Sequence, residues 1–318
     1  MLSEVPSEDI LFNFKGGFVD AIAPDLAAGF GLRRTDLDVE VDNEGLLLRG
    51  AGRFGPAPVE FAWKEVFEGQ DKGSTLNATA VVTPDLMNAF GFAARTFMQG
   101  EAEVELSAFG RGRDFEEIDA EFDFTDAALD LSDIGWIKPY NVPAKGVVRY
   151  GSDENGNAIA TGDIVAEGLE LAGEVLFSGA AGIQRAAIER IYAKDQIDLR
   201  GDFVRSPDGA IKIDVSGPFL DASPWIDELI NMGGAGEGPG ANVSAKVAVN
   251  KLKLREETSL TNAKLVLEMS PEAVERGLIS GTIAPGKGVE ATMETDGEDR
   301  IVSLRSDDAG FVFQTIAK

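Results

Sequence analysis

Apolar and polar residues alternate along much of the chain. In 101–108, Ala102, Val104, Leu106 and Ala108 are separated by Glu101, Glu103, Glu105 and Ser107. In 117–124, Ile118, Ala120, Phe122 and Phe124 are separated by Glu117, Asp119, Glu121 and Asp123. A period of two puts the apolar set on one face of a strand and the carboxylates on the other, whereas a helix would scatter both. Val59, Phe61 and Trp63 follow the same rule, as do Ile197, Leu199, Gly201 and Phe203, and then Ile211, Ile213 and Val215. Val289, Ala291 and Met293 continue it. Between 243 and 254 the parity changes: Val243, Ala245, Val247 and Val249 share one face, and Leu252 and Leu254 fall on the other parity. A bulge near Asn250 would restore the register.

Turn chemistry separates these runs. Asp42-Asn43-Glu44-Gly45, Asp153-Glu154-Asn155-Gly156, Pro207-Asp208-Gly209 and Asp296-Gly297 read as hairpin connections. The chain therefore reads as a mainly β protein, an antiparallel meander with a few short helices. Thr83-Pro84-Asp85 starts a helix over 84–91, Ser223-Pro224-Trp225 one to about Ile230, and Ser270-Pro271-Glu272 one of a turn or two. In 178–194, helix propensity competes with strand spacing of Ala186, Ile188 and Tyr192, interrupted by Arg190, and the spacing favours strand. The glycine-rich stretch 231–242 reads as a flexible excursion, because the strand pattern resumes unchanged after it. One continuous β-rich module over 1–318 is the expectation.

Composition narrows the chemistry. The 318 residues carry 29 Lys and Arg against 55 Asp and Glu, a net charge of -26, and neither His nor Cys. Catalytic triads, zinc sites and disulfides that need His or Cys are excluded. Nucleic acid lacks the basic footprint it requires. No run of about 18 apolar residues marks a transmembrane helix, and the N-terminus lacks signal-peptide regions. Gly281–Gly288 matches a P-loop except at its last position, where Gly288 replaces the metal-binding hydroxyl, and a strand pattern follows, so a hairpin is expected. Asp153–Asn157 lacks the spacing of a calcium loop. The many carboxylates alternate toward solvent, so no pair is singled out for acid–base catalysis. The expectation is a non-enzymatic protein with no cofactor, metal or catalytic residue. Trp63 falls on an apolar strand face, but no periodicity explains Trp136.

Ile134-Gly135-Trp136-Ile137-Lys138-Pro139, followed by a small-residue turn and a strand at Val142–Val148, resembles the AsmA-like family and its TamB/YhdP-type domains. Gly168–Gly173, Asp198-Leu199-Arg200-Gly201, Gly217–Ser223 and Ser306–Gly310 are similar to further family elements in the same order. The resemblance spans about 59–318. It implies a periplasmic segment of a larger protein, with an inner-membrane anchor outside this chain and neighbouring modules of the same protein. It also implies a long, twisted antiparallel sheet curled into an apolar groove that conducts phospholipid between inner and outer membranes.

The residues fit such a groove. A sheet with one apolar face must hide it, and the expected helices are too few to do so. Exposing a chain of ~16 carbons to water costs on the order of 13 kcal/mol, which an apolar trough would largely remove. Expected lining residues are Val59, Phe61, Trp63, Val104, Leu106, Ile118, Phe122, Phe124, Ile197, Leu199, Phe203, Ile211, Ile213 and Val215. The lipid reading leads. An assembly factor binding client strands of outer-membrane proteins at its sheet edges comes second, and an acidic β-sandwich hydrolase third.

Overall fold

A computed structural model describes residues 11–177, 182–224, 240–255, 258–296, 299–308 and 310. The fold is mainly β, as the alternation requires. The main sheet has 18 strands, and the chain divides into two compact units with nine of those strands each.

The first unit contains β1 (Asn13–Ala27), β2 (Phe30–Asp42), β3 (Gly45–Phe54), β4 (Ala57–Val66) and β5 (Gly73–Val82). A helix, α1 (Pro84–Ala89), and β6 (Met98–Gly100) lead into the long hairpin of β7 (Ala102–Arg111) and β8 (Asp114–Asp123). Short strands β9 (Ala127–Leu131) and β10 (Trp136–Lys138) precede β11 (Ala144–Ser152) and β12 (Ala158–Ala166), though Asp133–Trp136 groups with the second unit. The described pairings in this unit are antiparallel, and β11 joins β8 as well as β12. β6, β9 and β10 make a separate three-stranded sheet. The expected helix at 84–91 forms as α1: Thr83 Oγ1 accepts from the Leu86 N–H at 3.3 Å, and Pro84 occupies the first turn. Its apolar side buries Leu86 and Met87.

The second unit runs through β13 (Leu169–Phe177), β14 (Ile183–Ala193), β15 (Ile197–Arg205), β16 (Ile211–Asp221), β17 (Val243–Arg255), β18 (Thr258–Met269), β19 (Val274–Ala284), β20 (Lys287–Asp296) and β21 (Asp299–Ser306). Its strands pair in chain order, antiparallel except for the parallel pair β16 and β17. The ambiguous 178–194 stretch thus contains a strand. The P-loop look-alike is the β19–β20 hairpin, with Ala284 paired to Lys287. Ser270–Ala273 is a turn and not a helix: Ser270 Oγ accepts from the Ala273 N–H and β19 starts at once. No apolar stretch follows the proline there to hold a helix against the sheet. The expected helix after Pro224 and most of the glycine-rich loop lie outside the described residues.

The parity change in β17 has a different form from a single bulge at Asn250. β16, β17 and β18 shift together, and their mutual register continues from Gly217 and Val249 through Leu220 and Leu252. The extra residue shows only where this trio meets β15 and β19, which both carry register shifts against it. Asn262 takes a left-handed φ of 48° on that line. Gly217 is required there because a Cβ would lie 2.0 Å from the Asp198 carbonyl oxygen. In β14 a similar irregularity separates Ile188 from Ile191. Ile191 and Ala193 then continue the apolar face, whereas Tyr192 turns to the polar side, under the Arg190 guanidinium at 4.9 Å. Such bulges bend strands and increase their twist.

Candidate functional site

The ladders place the expected lining residues in continuous cross-strand rows. In the first unit, one row runs Phe18–Leu37–Gly50–Phe61–Ala78–Leu106–Ala120–Val148–Gly162. A second runs Gly52–Val59–Ala80–Val104–Phe122–Gly146–Ile164, and a third Val39–Leu48–Trp63–Leu76–Ala108–Ile118–Tyr150–Ala160. Directly paired residues share a face, so seven of the eight expected residues here are in these rows. The eighth, Phe124, lies just beyond β8, with its ring stacked on Phe122 at 5.6 Å.

Burial along this face is graded. Around Phe124 it is sealed by α1, β6 and β9, through Leu86, Met87, Met98, Ala127 and Leu129, all buried. Val59, Phe61, Trp63, Leu106, Ile118 and Phe122 are only half-buried, whereas Val104, Ala108 and Ala120 in the same rows are buried.

The second unit repeats the gradient. Leu169–Ala193–Ile197–Leu220–Leu252–Leu260 is one ladder row, and its members are 0–7% exposed. Leu199 is buried next to it. Further along the same face, Gly173–Ile188–Gly201–Val215–Val247–Leu265–Ile279–Ala291–Leu304 and Val175–Ala186–Phe203–Ile213–Ala245–Leu267–Gly277–Met293–Val302 are rows of half-buried residues that open toward β21. Val302 is 68% exposed. One step beyond, in the row Ile211–Val243–Met269–Val274, Val243 and Val274 are buried again. All six expected residues of this unit lie on this face. Leu37, Leu48, Leu76, Leu265 and Ile279 extend the two walls; Leu37 and Leu76 sit in alternating stretches of sequence, whereas Leu48, Leu265 and Ile279 lie in consecutive apolar runs that hide their face.

The polar side is a different surface. A hollow of about 950 Å³ in the first unit touches Asp119 and Glu121 on β8 but not Ala120 between them, which places it on the carboxylate side. Asp36, Asp38, Glu60 and Glu105 also line it, all exposed. Among the described residues, no group of three or more carboxylates is placed to hold a metal ion. No described helix is long and apolar enough to cross a membrane.

The motif segments have structural duties. Lys138 is 1% exposed, and its ammonium donates to the carbonyls of Ala127 (2.6 Å), Pro139 (3.0 Å) and Thr125 (3.4 Å). Burial pushes its pKa below the usual lysine value, against the pull of Asp123 and Asp126. Trp136 is buried on β10. Asp221 is buried, and its Oδ2 accepts from Lys253 at 2.6 Å while Oδ1 accepts from the Ser223 N–H and hydroxyl. Burial alone would raise its pKa, but the bonds from Lys253 and Ser223 outweigh that and hold it below the ordinary carboxylate value.

Comparison of this chain with protein-family models, curated proteins and solved structures yields no match.

Proposed function

We propose that this protein holds acyl-chain lipid against the apolar face of its sheet, as a periplasmic, inner-membrane-anchored segment of an AsmA-like protein that passes phospholipid between membranes. The observation that carries the reading is the burial pattern: between more buried ends, each unit keeps large apolar side chains of one face only half-buried across successive strands, Phe61, Trp63, Leu106 and Ile118 in the first and Ile188, Ile213, Leu265 and Ile279 in the second. A self-filled sandwich would bury those side chains completely. From Val59 to Glu65 a strand covers about 20 Å at ~3.3 Å per residue. That is long enough for an acyl chain occupying one ~15 Å leaflet, half of the ~30 Å hydrocarbon core. The carboxylates of the opposite face keep the sheet in water.

The test is native mass spectrometry of gently purified protein followed by organic extraction, with a photoreactive residue at Phe122. Co-purified phospholipid and its crosslink at Phe122 support the reading, and protein that carries no lipid and forms no crosslink with added phospholipid refutes it.

A second reading, capture of client β-strands, draws on the strands that pair on one side only among the described residues, β1 with β2 and β21 with β20. On β1, Val19 is 84% exposed and Ile22 68%, and β21 exposes Ile301 and Val302. Natural sheet edges are usually charged or covered. Binding of an unfolded outer-membrane barrel protein that is blocked by proline substitutions in β1 and insensitive to delipidation would favour this reading over the first.

A further inference from the structure

The apolar wall of the first unit changes chemistry at its last row. Phe14–Val41–Leu46 continues into Glu65, Ser74 and Gly110. Ser74 is 0% exposed, and among the described residues its Oγ has no hydrogen-bond partner; the same holds for the buried Nε1 of Trp63. The pairings Trp63 with Leu76 and Glu65 with Ser74 make Trp63 and Ser74 diagonal neighbours, which stand about 7–8 Å apart, within reach of a large side chain. A buried donor without a partner costs about 1–3 kcal/mol, so two on one apolar surface need a reason.

We infer that Trp63 and Ser74 form a polar subsite that receives the ester carbonyl of an acyl lipid. The inference rests on the lipid-holding reading and adds an orientation to it. Trp63 N–H and Ser74 O–H are both free to donate, and an ester carbonyl accepts two bonds through its two lone pairs. The row contains a carboxylate, Glu65, and neither lysine nor arginine, so it suits a neutral ester and disfavours a phosphate. The tail then lies along β4, β5 and β7 toward Val59, Val104 and the sealed end, and the polar end emerges at the β4–β5 turn.

Both donors are shut off from water, so the ligand reaches them by displacing a neighbouring side chain. Phe115 is in ring contact with Trp63, 6.1 Å between centroids. Its backbone approaches Gly110 so closely that a Cβ there would lie 2.6 Å from the Phe115 Cα. Phe115 sits beside a register shift between β7 and β8, where the ladder is interrupted and side-chain movement is least restrained.

The experiment titrates the full chain with monomyristin, which has a tail and an ester, and with tetradecane, which has the tail alone, both delivered from cyclodextrin. Ser74→Ala and Trp63→Phe are each expected to weaken monomyristin binding about two- to ten-fold, the worth of one hydrogen bond, and to leave tetradecane unchanged. The carbonyl stretch of bound monomyristin should shift to higher frequency in both variants as donors are lost. Variants that bind monomyristin as the parent does, or that lose both ligands equally, overturn the subsite and leave the lipid reading intact. A parent protein that binds neither ligand ends both.

Discussion

Each unit closes one end of an apolar sheet face, but with different parts. The first adds pieces to the sheet: α1 and the small β6–β9–β10 sheet bring Leu86, Met87, Met98 and Leu129 into a core, and Lys138 ties three carbonyls of that cap together. The second uses the ends of its own strands, and one row from Leu169 to Leu260 is almost fully buried. Both units turn out of the sheet at the same kind of corner, Asp123-Phe124-Thr125 and Asp221-Ala222-Ser223. In each, one carboxylate oxygen accepts the N–H and hydroxyl of the residue two positions on. The first unit spends its buried lysine on backbone carbonyls, and the second aims Lys253 at the Asp itself. The difference teaches that the open rows are the shared feature and the seal is a local solution.

The sharpest division is between sealed and open rows, so the largest effect is expected there. Leu252→Ala should cost about 2–5 kcal/mol, the range for a buried leucine that leaves a cavity. Leu265→Ala, the same change in an open row of the same unit, should cost about half as much, because the half-buried leucine gives up less transfer free energy and leaves no closed void. Urea denaturation of both variants checks the ratio. Equal losses would mean that the rows around Leu265 are as sealed as Leu252.

Next comes the lysine comparison. Lys138→Met keeps most of the aliphatic stem and deletes three donated bonds, for an expected loss of about 3 kcal/mol. Lys138→Arg should not rescue it, because a planar guanidinium does not fit a pocket shaped for an ammonium. Lys253→Met should cost about 1–2 kcal/mol, since Asp221 keeps its Ser223 bonds and the lysine is partly in water. Melting temperatures in one buffer rank the three.

The alternation made most of this architecture legible beforehand. Glu101–Ala108 and Glu117–Phe124 fixed strand type, strand face and the wall residues together, because a half-buried strand leaves a period of two and nothing else does. Thr83-Pro84 located α1 for a similarly local reason. The rest depends on contacts between distant strands. Lys138 is a lysine at a position with no repeat around it, and only the cap shows that three carbonyls converge there. Tyr192 keeps strand spacing in sequence, yet the bulge near Glu189 moves it off the apolar face. Ser74 is two positions before Leu76 in an alternating run, so its parity was readable, but the absence of a partner was not. The division into two units left no mark, since the strand pattern does not break between Ala166 and Leu169.

The corner aspartates should titrate alike. The Asp123 carboxyl is held below its usual value chiefly by the Thr125 hydroxyl, then by the Thr125 N–H. Asp221 is lowered by its bonds against burial. A carboxylate lowered on folding contributes stability above its unfolded value, near 3.8, and loses it as pH falls through the lower folded value. Stability should therefore drop below about pH 4, and the drop should be shallower in Asp221→Asn and in Asp123→Asn. A parent and variants with the same acid limb would remove these corners from the account.

The smallest effect tests the polar row. If Ser74 Oγ is unbonded as the geometry has it, Ser74→Ala removes a buried hydroxyl that gains nothing from the fold, and the ligand-free protein should be up to about 1 kcal/mol more stable. Ser280→Ala, on the polar side of β19 in the second unit, should stay within about 0.5 kcal/mol of the parent. Thermal denaturation of both in lipid-free buffer reads the difference. A destabilised Ser74→Ala would mean that the hydroxyl is satisfied in solution. A stabilised one would mean that the first unit keeps a group its own fold does not need, on the wall where a lipid ester would use it.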